Sequence, residues 1–237
     1  LGLTDFNTKG EPREAIVAFS MLDSGNWILP QNTGGEVAYK PPFFHWCVAA
    51  TSLALGGVSE FSARFPSAIA ALVLAMSTFF FFRKRSVEGT AFLTALIFLA
   101  SFEVHRGAMT ARVDMVLTAC IVLAMFSLYK WMERGLKGVP WGGILAMILG
   151  VLTKGPVAIL LPSMVSFVFY ITQDAAASDG LGKRAWRILW RLSLLAIAAL
   201  VLPVAWYAAA YTQGGDKFLY LVYEENVLRF LGKMPYG

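Results

Sequence analysis

The sequence predicts an all-α polytopic membrane protein, and three observations carry that prediction. Of its 237 residues, 57% are hydrophobic and only 15% are charged, whereas soluble domains carry about 25% charge. The mean hydropathy is +0.62. The apolar residues gather in runs near the ~20 residues that a spanning helix needs, with most charges between them. A soluble core of this length would not cover so much apolar surface, but lipid solvates it.

The runs fall at about 65–82, 87–103, 115–131, 140–155, 156–171 and 188–210, which predicts about six spans. The pair around Thr153-Lys154-Gly155-Pro156 is short, and Gly-Pro marks the break between its halves. The run 41–56 reads as interfacial or re-entrant rather than as a span. Basic clusters decide this: Arg83-Lys84-Arg85, then Lys130, Arg134 and Lys137, then Lys183, Arg184, Arg187 and Arg191. Two spans separate each cluster from the next, so all three share one side, which the positive-inside rule makes cytoplasmic. Segment 1–40 holds five acids and three basic residues and suits the opposite side, which requires one span before Arg83 and not two.

Three regions follow. Residues 1–64 form an external loop with juxtamembrane helices, 65–210 the transmembrane bundle, and 211–237 an external juxtamembrane segment. Within the first, residues 12–24 read as an amphipathic surface helix. Pro12 suits its first turn, Ala15, Phe19 and Leu22 share a face, and Gly25 stops it. The chain opens in polar sequence without a starting Met, does not begin with a signal peptide, and stops at Met234-Pro235-Tyr236-Gly237. It reads as a piece of a longer protein, truncated after residue 237. The formal charge of +5 does not indicate nucleic acid, because the basic residues sit in short loop-like runs. Cys47 and Cys120 lie in apolar runs and read as packing residues.

On this topology the noncytoplasmic face receives carboxylates and cations from at least four separated segments. Asp5, Glu11, Arg13, Lys40, His45, Arg64, Arg112, Asp114, Lys154, Glu225 and Arg229 are the candidates. Charges at span ends face water or a cavity, because facing lipid is costly. Each taken alone also fits a solvated interfacial anchor. Glu11 and Arg13 flank Pro12 at the positive start of a helix, and Lys40 precedes Pro41-Pro42, which fixes an extended backbone. Cations beside a carboxylate at a bilayer surface suit a substrate with a lipid-linked phosphate and a group to be transferred. The carboxylates Glu11 and Asp114 are candidates for a general base or for holding a divalent cation. His45 is more readily a packing residue than a ligand. The main rival reading is a transporter or flippase of a lipid-linked or small anionic substrate. The Gly155-Pro156 break suits it, but the spans' mid-sections carry almost no ionisable groups. A non-catalytic membrane scaffold is a third reading.

Several motifs, in order, carry a resemblance. They are Gly10-Glu11-Pro12-Arg13-Glu14-Ala15, Met21-Leu22-Asp23-Ser24-Gly25-Asn26-Trp27-Ile28-Leu29-Pro30 and Tyr39-Lys40-Pro41-Pro42-Phe43-Phe44-His45-Trp46. Then come Glu60-Phe61-Ser62-Ala63-Arg64-Phe65-Pro66-Ser67, Ala111-Arg112-Val113-Asp114, Leu152-Thr153-Lys154-Gly155-Pro156 and Glu225-Asn226-Val227-Leu228-Arg229-Phe230. Together the set resembles the aminoarabinose (lipid A) transferases, among the protein O-mannosyltransferase-like glycosyltransferases of the GT-C fold. The resemblance implies a GT-C-type helix bundle in a bacterial inner membrane. It also implies a polyprenyl-phosphate sugar donor, a lipid, glycan or protein acceptor, and inverting transfer on the periplasmic face. It places the donor-phosphate cations on Arg13 and Lys40, with Lys154 as a weaker helper, and one acid on Asp114. The family's loop has an acidic pair before the Arg, and here Gly10 stands at its first position. Either Glu11 acts alone or Asp5 folds back to supply the missing carboxylate.

Overall fold

The computed structural model describes residues 1–6, 8, 10–38, 40–173, 180–224, 228 and 231–232. Glu225 and Arg229 lie outside the described residues. Among the described residues nine α-helices follow one another: α1 Gly10–Ser24, α2 Phe43–Leu55, α3 Glu60–Arg83, α4 Glu88–Ala100, α5 Phe102–Ala108, α6 Val113–Glu133, α7 Trp141–Lys154, α8 Val157–Gln173 and α9 Leu181–Tyr223. The only β pairing among the described residues is an isolated antiparallel bridge between Gln31 and Val37.

Local chemistry sets the boundaries. Ser59 and Ser62 open α3 with a reciprocal capping box, in which each hydroxyl accepts the other residue's backbone N–H and satisfies donors that a helix start leaves unpaired. α7 stops at Gly155, whose φ of 82° and ψ of −157° suit glycine alone, and Pro156 then leads into α8. α9 runs past the expected end at 210 and breaks at Gly215.

Three helices, α3, α6 and α9, are long and apolar enough to cross a bilayer, and the pair α4–α5, bent by 66°, makes a fourth if it is one span. The expected span 87–103 therefore breaks at Ser101. α7 and α8 have 14 and 17 residues, or roughly 21 and 26 Å, against a hydrocarbon core of about 30 Å. α2, with 13 residues, is shorter still.

The bundle core lies between α6, α7, α8 and α9, where Ala124, Leu128, Met147, Ala158, Ile188 and Ala199 are buried together. Small residues bring the backbones close, as association in lipid favours. A Cβ on Gly150 would stand 2.5 Å from the Cβ of Ala158 and 3.2 Å from that of Cys120. A second cluster joins α1, α2, α3 and the start of α6 through Ala18, Met21, Phe44, Val48 and Ala63.

The two ends of the bundle differ in charge chemistry. At one end Arg85 pairs with Glu133 and lies over the Phe81 ring at 3.9 Å. At the same end Arg191 donates to the Leu136 carbonyl at 2.8 Å, and Arg184 to that of Tyr170 at 2.8 Å. The three basic clusters thus collect where α3, α6 and α8 end and α9 begins. The opposite end carries α1, the start of α3 and α6, and the end of α7.

Overpacking the α7–α8 approach tests this arrangement. Gly150→Val should destabilise the folded protein by about 1–3 kcal/mol, read as a lower unfolding temperature in detergent. Gly180→Ala, where an added Cβ meets nothing within 4 Å, should leave it nearly unchanged.

Candidate active site

α1 presents a buried stripe made of Glu11, Glu14, Ala15, Ala18 and Met21, spaced by three and four residues on one face. The helix is two residues longer at its start than the apolar pattern predicts, and Phe19, expected on the packed face, is 56% exposed. The stripe carries two carboxylates. A buried charge is tolerated only when paired and hydrogen-bonded, and both are.

Glu11 is fully buried. Its Oε1 accepts from Arg64 Nε at 2.9 Å and from the Ala111 backbone N–H at 2.9 Å, and its Oε2 accepts from the Thr8 N–H at 3.2 Å. Arg64, itself 2% exposed, spends its remaining donors on the N-terminal segment. It reaches the carbonyls of Leu1 at 2.7 Å, Thr4 at 2.9 Å and Asp5 at 2.8 Å. One ion pair therefore ties α1 to α3, to the turn before α6 and to residues 1–5. Glu11 was expected to do chemistry, and Arg64 to meet substrate. Both are enclosed and paired with each other.

Glu14 was not singled out in the sequence, and it proves to be the centre of a second group. It pairs with Lys40 through Oε1, while His45 Nε2 lies 2.6 Å from Oε2. Burial alone would raise this carboxyl. The hydrogen bond and charge of His45 and the charge of Lys40 outweigh burial and hold it at about 2, against an ordinary 4.5. His45 is 1% exposed, so it too is a buried partner of Glu14. Lys40 keeps about a quarter of its side chain exposed. Arg13 is half-buried on α1, one residue before Glu14.

The third group lies where α6 starts and α7 ends. Asp114 Oδ1 takes the Lys154 ammonium at 2.6 Å, and Oδ2 lies 3.5 Å from Arg112 Nε. All three side chains are about half exposed. Each end charge also opposes its helix dipole, the acid at an N-terminus and the lysine at a C-terminus. The Asp5 carboxylate is exposed and pairs with none of the described residues, while its backbone carbonyl is held through Arg64 beside Glu11 of α1. A Cβ on Gly10 would meet only Arg112 Nε, at 3.9 Å, which places the start of α1 beside this third group. Glu11, Lys40, Asp114 and Lys154 thus share one end of the bundle. Among the described residues no three His, Cys, Asp or Glu converge as metal ligands.

An all-α bundle of apolar helices, with juxtamembrane helices gathering charge at one end, defines a polytopic membrane protein. The dolichyl-phosphate-mannose-protein mannosyltransferase family model matches residues 39–207, and the chain belongs to that family. The chain is 29% identical over 228 residues to a protein of Aquifex aeolicus, covering 94% of this chain and 44% of that protein. It is 28% identical to an undecaprenyl phosphate-alpha-4-amino-4-deoxy-L-arabinose arabinosyl transferase of Aeromonas hydrophila, covering 93% and 39%. The fold matches ArnT of Cupriavidus metallidurans bound to undecaprenyl phosphate with a TM-score of 0.78 at 24% identity, over 96% of this chain and 41% of that one. The apo form of the same protein gives 0.73, over 90% and 39%. The chain spans less than half the length of these relatives.

Two outcomes follow from the buried carboxylates. Arg64→Ala should cost about 3–5 kcal/mol, because it leaves Glu11 buried without its counter-charge. Thermal unfolding in detergent measures the loss, and Arg64→Lys should restore only part of it, since an ammonium cannot reach three carbonyls as a guanidinium does. Glu14 has its folded pKa depressed, so its stabilisation is complete above the ordinary 4.5 and is lost as the pH falls toward about 2. Across that window the parent should lose unfolding temperature more steeply than Glu14→Gln, which carries no titrating group there.

Proposed function

We propose that this chain is the donor-binding part of a membrane glycosyltransferase. It moves a sugar from a polyprenyl-phosphate donor to a lipid, glycan or protein acceptor, with inversion, at the periplasmic face of a bacterial inner membrane. The observation that carries the reading is the gathering of Lys40, Asp114 and Lys154 at one end of an apolar bundle, opposite the end where the basic clusters collect. A cytoplasmic basic end leaves the mixed-charge end outside, where a lipid-linked phosphate sits at the membrane boundary. The apolar helices are the surface along which the polyprenyl tail lies.

In this reading the sugar leaves its lipid phosphate as an acceptor atom attacks the anomeric carbon from the opposite face. Negative charge grows on the departing phosphate oxygen. Arg13 and Lys40 stabilise it, and fixed cations aimed at a developing charge are commonly the largest single contribution to catalysis. Arg13 offers a fork and Lys40 a point charge. Glu14 holds the Lys40 ammonium from behind, with His45 on its other oxygen.

Of the carboxylates considered as the base, Asp114 is the one that substrate can reach. It is half exposed beside Lys154 and Arg112. A hydroxyl acceptor delivers its proton to that carboxylate as it attacks, a step worth typically about a hundred- to ten-thousand-fold. Glu11 holds the scaffold. The acceptor class is read no further than a nucleophilic oxygen.

Donor turnover by the whole protein in detergent, with a labelled undecaprenyl-phosphate sugar, tests the assignment. Lys40→Ala and Arg13→Ala should each nearly abolish sugar release while the protein still inserts and purifies as a folded species. Near-normal release in either would refute the phosphate clamp. Asp114→Asn should lose far more activity than Asp5→Asn, and equal losses would return Asp5 to the role of acid.

A further inference from the structure

An open groove of about 310 Å³ lies beside Asp114, walled by α5, the turn before α6 and the start of α6. The phosphate clamp does not use it. Its charges are unevenly matched. Glu103 takes Arg106 through one oxygen, with Arg106 Nε at 3.1 Å and Nη2 at 2.6 Å. Asp114 is shared, with Lys154 close at 2.6 Å and Arg112 loose at 3.5 Å. The groove wall itself carries two cations, Arg106 and Arg112, and two carboxylates, Glu103 and Asp114; Lys154 takes up Asp114 from outside the wall, and Arg112 is the least satisfied. It is 51% exposed, and among the described residues Asp114 is its only ion-pair partner. A guanidinium presents five donors in a fork, so Arg112 keeps donors for a ligand.

Two further observations place a ligand there. Gly10, at the start of α1, stands beside Arg112 and has no side chain, and a Cβ added there would meet nothing closer than Arg112 Nε at 3.9 Å. The Thr8 hydroxyl, also on the groove wall, is shielded from solvent and has no hydrogen-bond partner. Hydroxyls are the natural partners of a sugar. Thr110 and Thr118, which line the same groove, donate to backbone carbonyls and keep their oxygens free to accept.

We propose that this groove binds a saccharide carrying an oxyanion, a carboxylate or a phosphate, through Arg112 and Arg106, and that it rejects an aminated sugar. The inference deepens the glycosyltransferase reading and rests on it for the saccharide. The Aeromonas hydrophila relative is named for moving 4-amino-4-deoxy-L-arabinose, whose amine is cationic at neutral pH. A groove with a surplus guanidinium repels that amine. Discrimination of this kind comes from like-charge opposition as much as from new attraction. Gly10 sets the preference, because an acid at this position would neutralise Arg112 and leave the groove hospitable to an ammonium.

The test is equilibrium binding to the whole protein in lipid nanodiscs. The probes are methyl glucuronide, methyl glucoside 6-phosphate, methyl glucoside and methyl glucosaminide, with undecaprenyl phosphate measured in parallel. At least one of the two oxyanion probes should bind about tenfold more tightly than methyl glucoside, the scale of one charge-assisted contact, and whichever wins identifies the oxyanion. Methyl glucosaminide should bind least. Arg112→Gln should remove the oxyanion preference, and Gly10→Asp should remove it while admitting the glucosaminide. The proposal is overturned if the glucosaminide binds the parent as well as the oxyanion probes do. It is equally overturned if neither oxyanion probe is preferred, if the preference survives Arg112→Gln, or if Gly10→Asp leaves it unchanged. Undecaprenyl phosphate binding separates the two readings. If it is retained without an oxyanion preference, only this inference falls. If it is lost in the parent, the donor assignment falls with it.

Discussion

The fully buried ion pair between Glu11 and Arg64 is the constraint on which the candidate site depends. Removing two charges from water costs several kcal/mol each, and their attraction repays this only when the geometry is good and the remaining donors and acceptors are filled. Here they are filled from three directions. Backbone N–H groups of Thr8 and Ala111 complete the carboxylate, and carbonyls of residues 1–5 complete the guanidinium. A pair so enclosed has one low-energy arrangement, so it fixes the rotation of α1 about its axis. With that rotation set, Glu14, three residues on and on the same face, points to Lys40 and His45. The position of Lys40 is therefore inherited from a contact in which it takes no part.

The separation of charge types along the bundle has a physical origin in the bilayer. Charges within the hydrocarbon are costly and are driven to the span ends. At the basic end they are simple: arginines satisfied by nearby carbonyls, by the acids Glu88 and Glu133, and by aromatic faces. At the other end acids and cations interlock across α1, α2, α3, α6 and α7. Anchoring at an interface needs only the first kind of arrangement. The second orders side chains from segments far apart in sequence, and it includes members left half exposed.

Much of the fold was legible because lipid enforces a simple rule. The apolar runs 65–82, 115–131 and 188–210 fall inside α3, α6 and α9, and the short pair divides at Gly155, as Gly-Pro implied. The bend at Ser101 was hidden, since neither Gly nor Pro marks it in the sequence. The site was half legible. Spacing relative to Pro41 and the order of motifs singled out Lys40, Asp114 and Lys154. What failed was the sorting of charges by burial. A search for an apolar stripe on α1 selects Ala15, Phe19 and Leu22, because it assumes that buried means apolar. The true stripe includes Glu11 and Glu14, and their spacing of three, in register with Ala15, Ala18 and Met21, was a signal available in the sequence. Their partners were not, because Arg64 and His45 lie 53 and 31 residues away.

The contrast between Glu11 and Asp114 shows why environment, and not residue type, divides labour in such a site. Both are carboxylates near a helix start, and both meet an arginine. Glu11 is fully buried and held by a cation and backbone amide donors. Asp114 shares its charge between two half-exposed cations, one of them at 3.5 Å, and so keeps an approachable face. Its tie to Lys154 has a covalent logic as well. Gly155 ends α7 at the lysine, where the cation suits the helix's negative end and its ammonium reaches the start of the neighbouring antiparallel helix. A longer, straighter α7 would carry Lys154 inside a helix and lose that terminal placement. The shortness of α7, costly by the measure of bilayer thickness, is what brings a charged helix end to the acid.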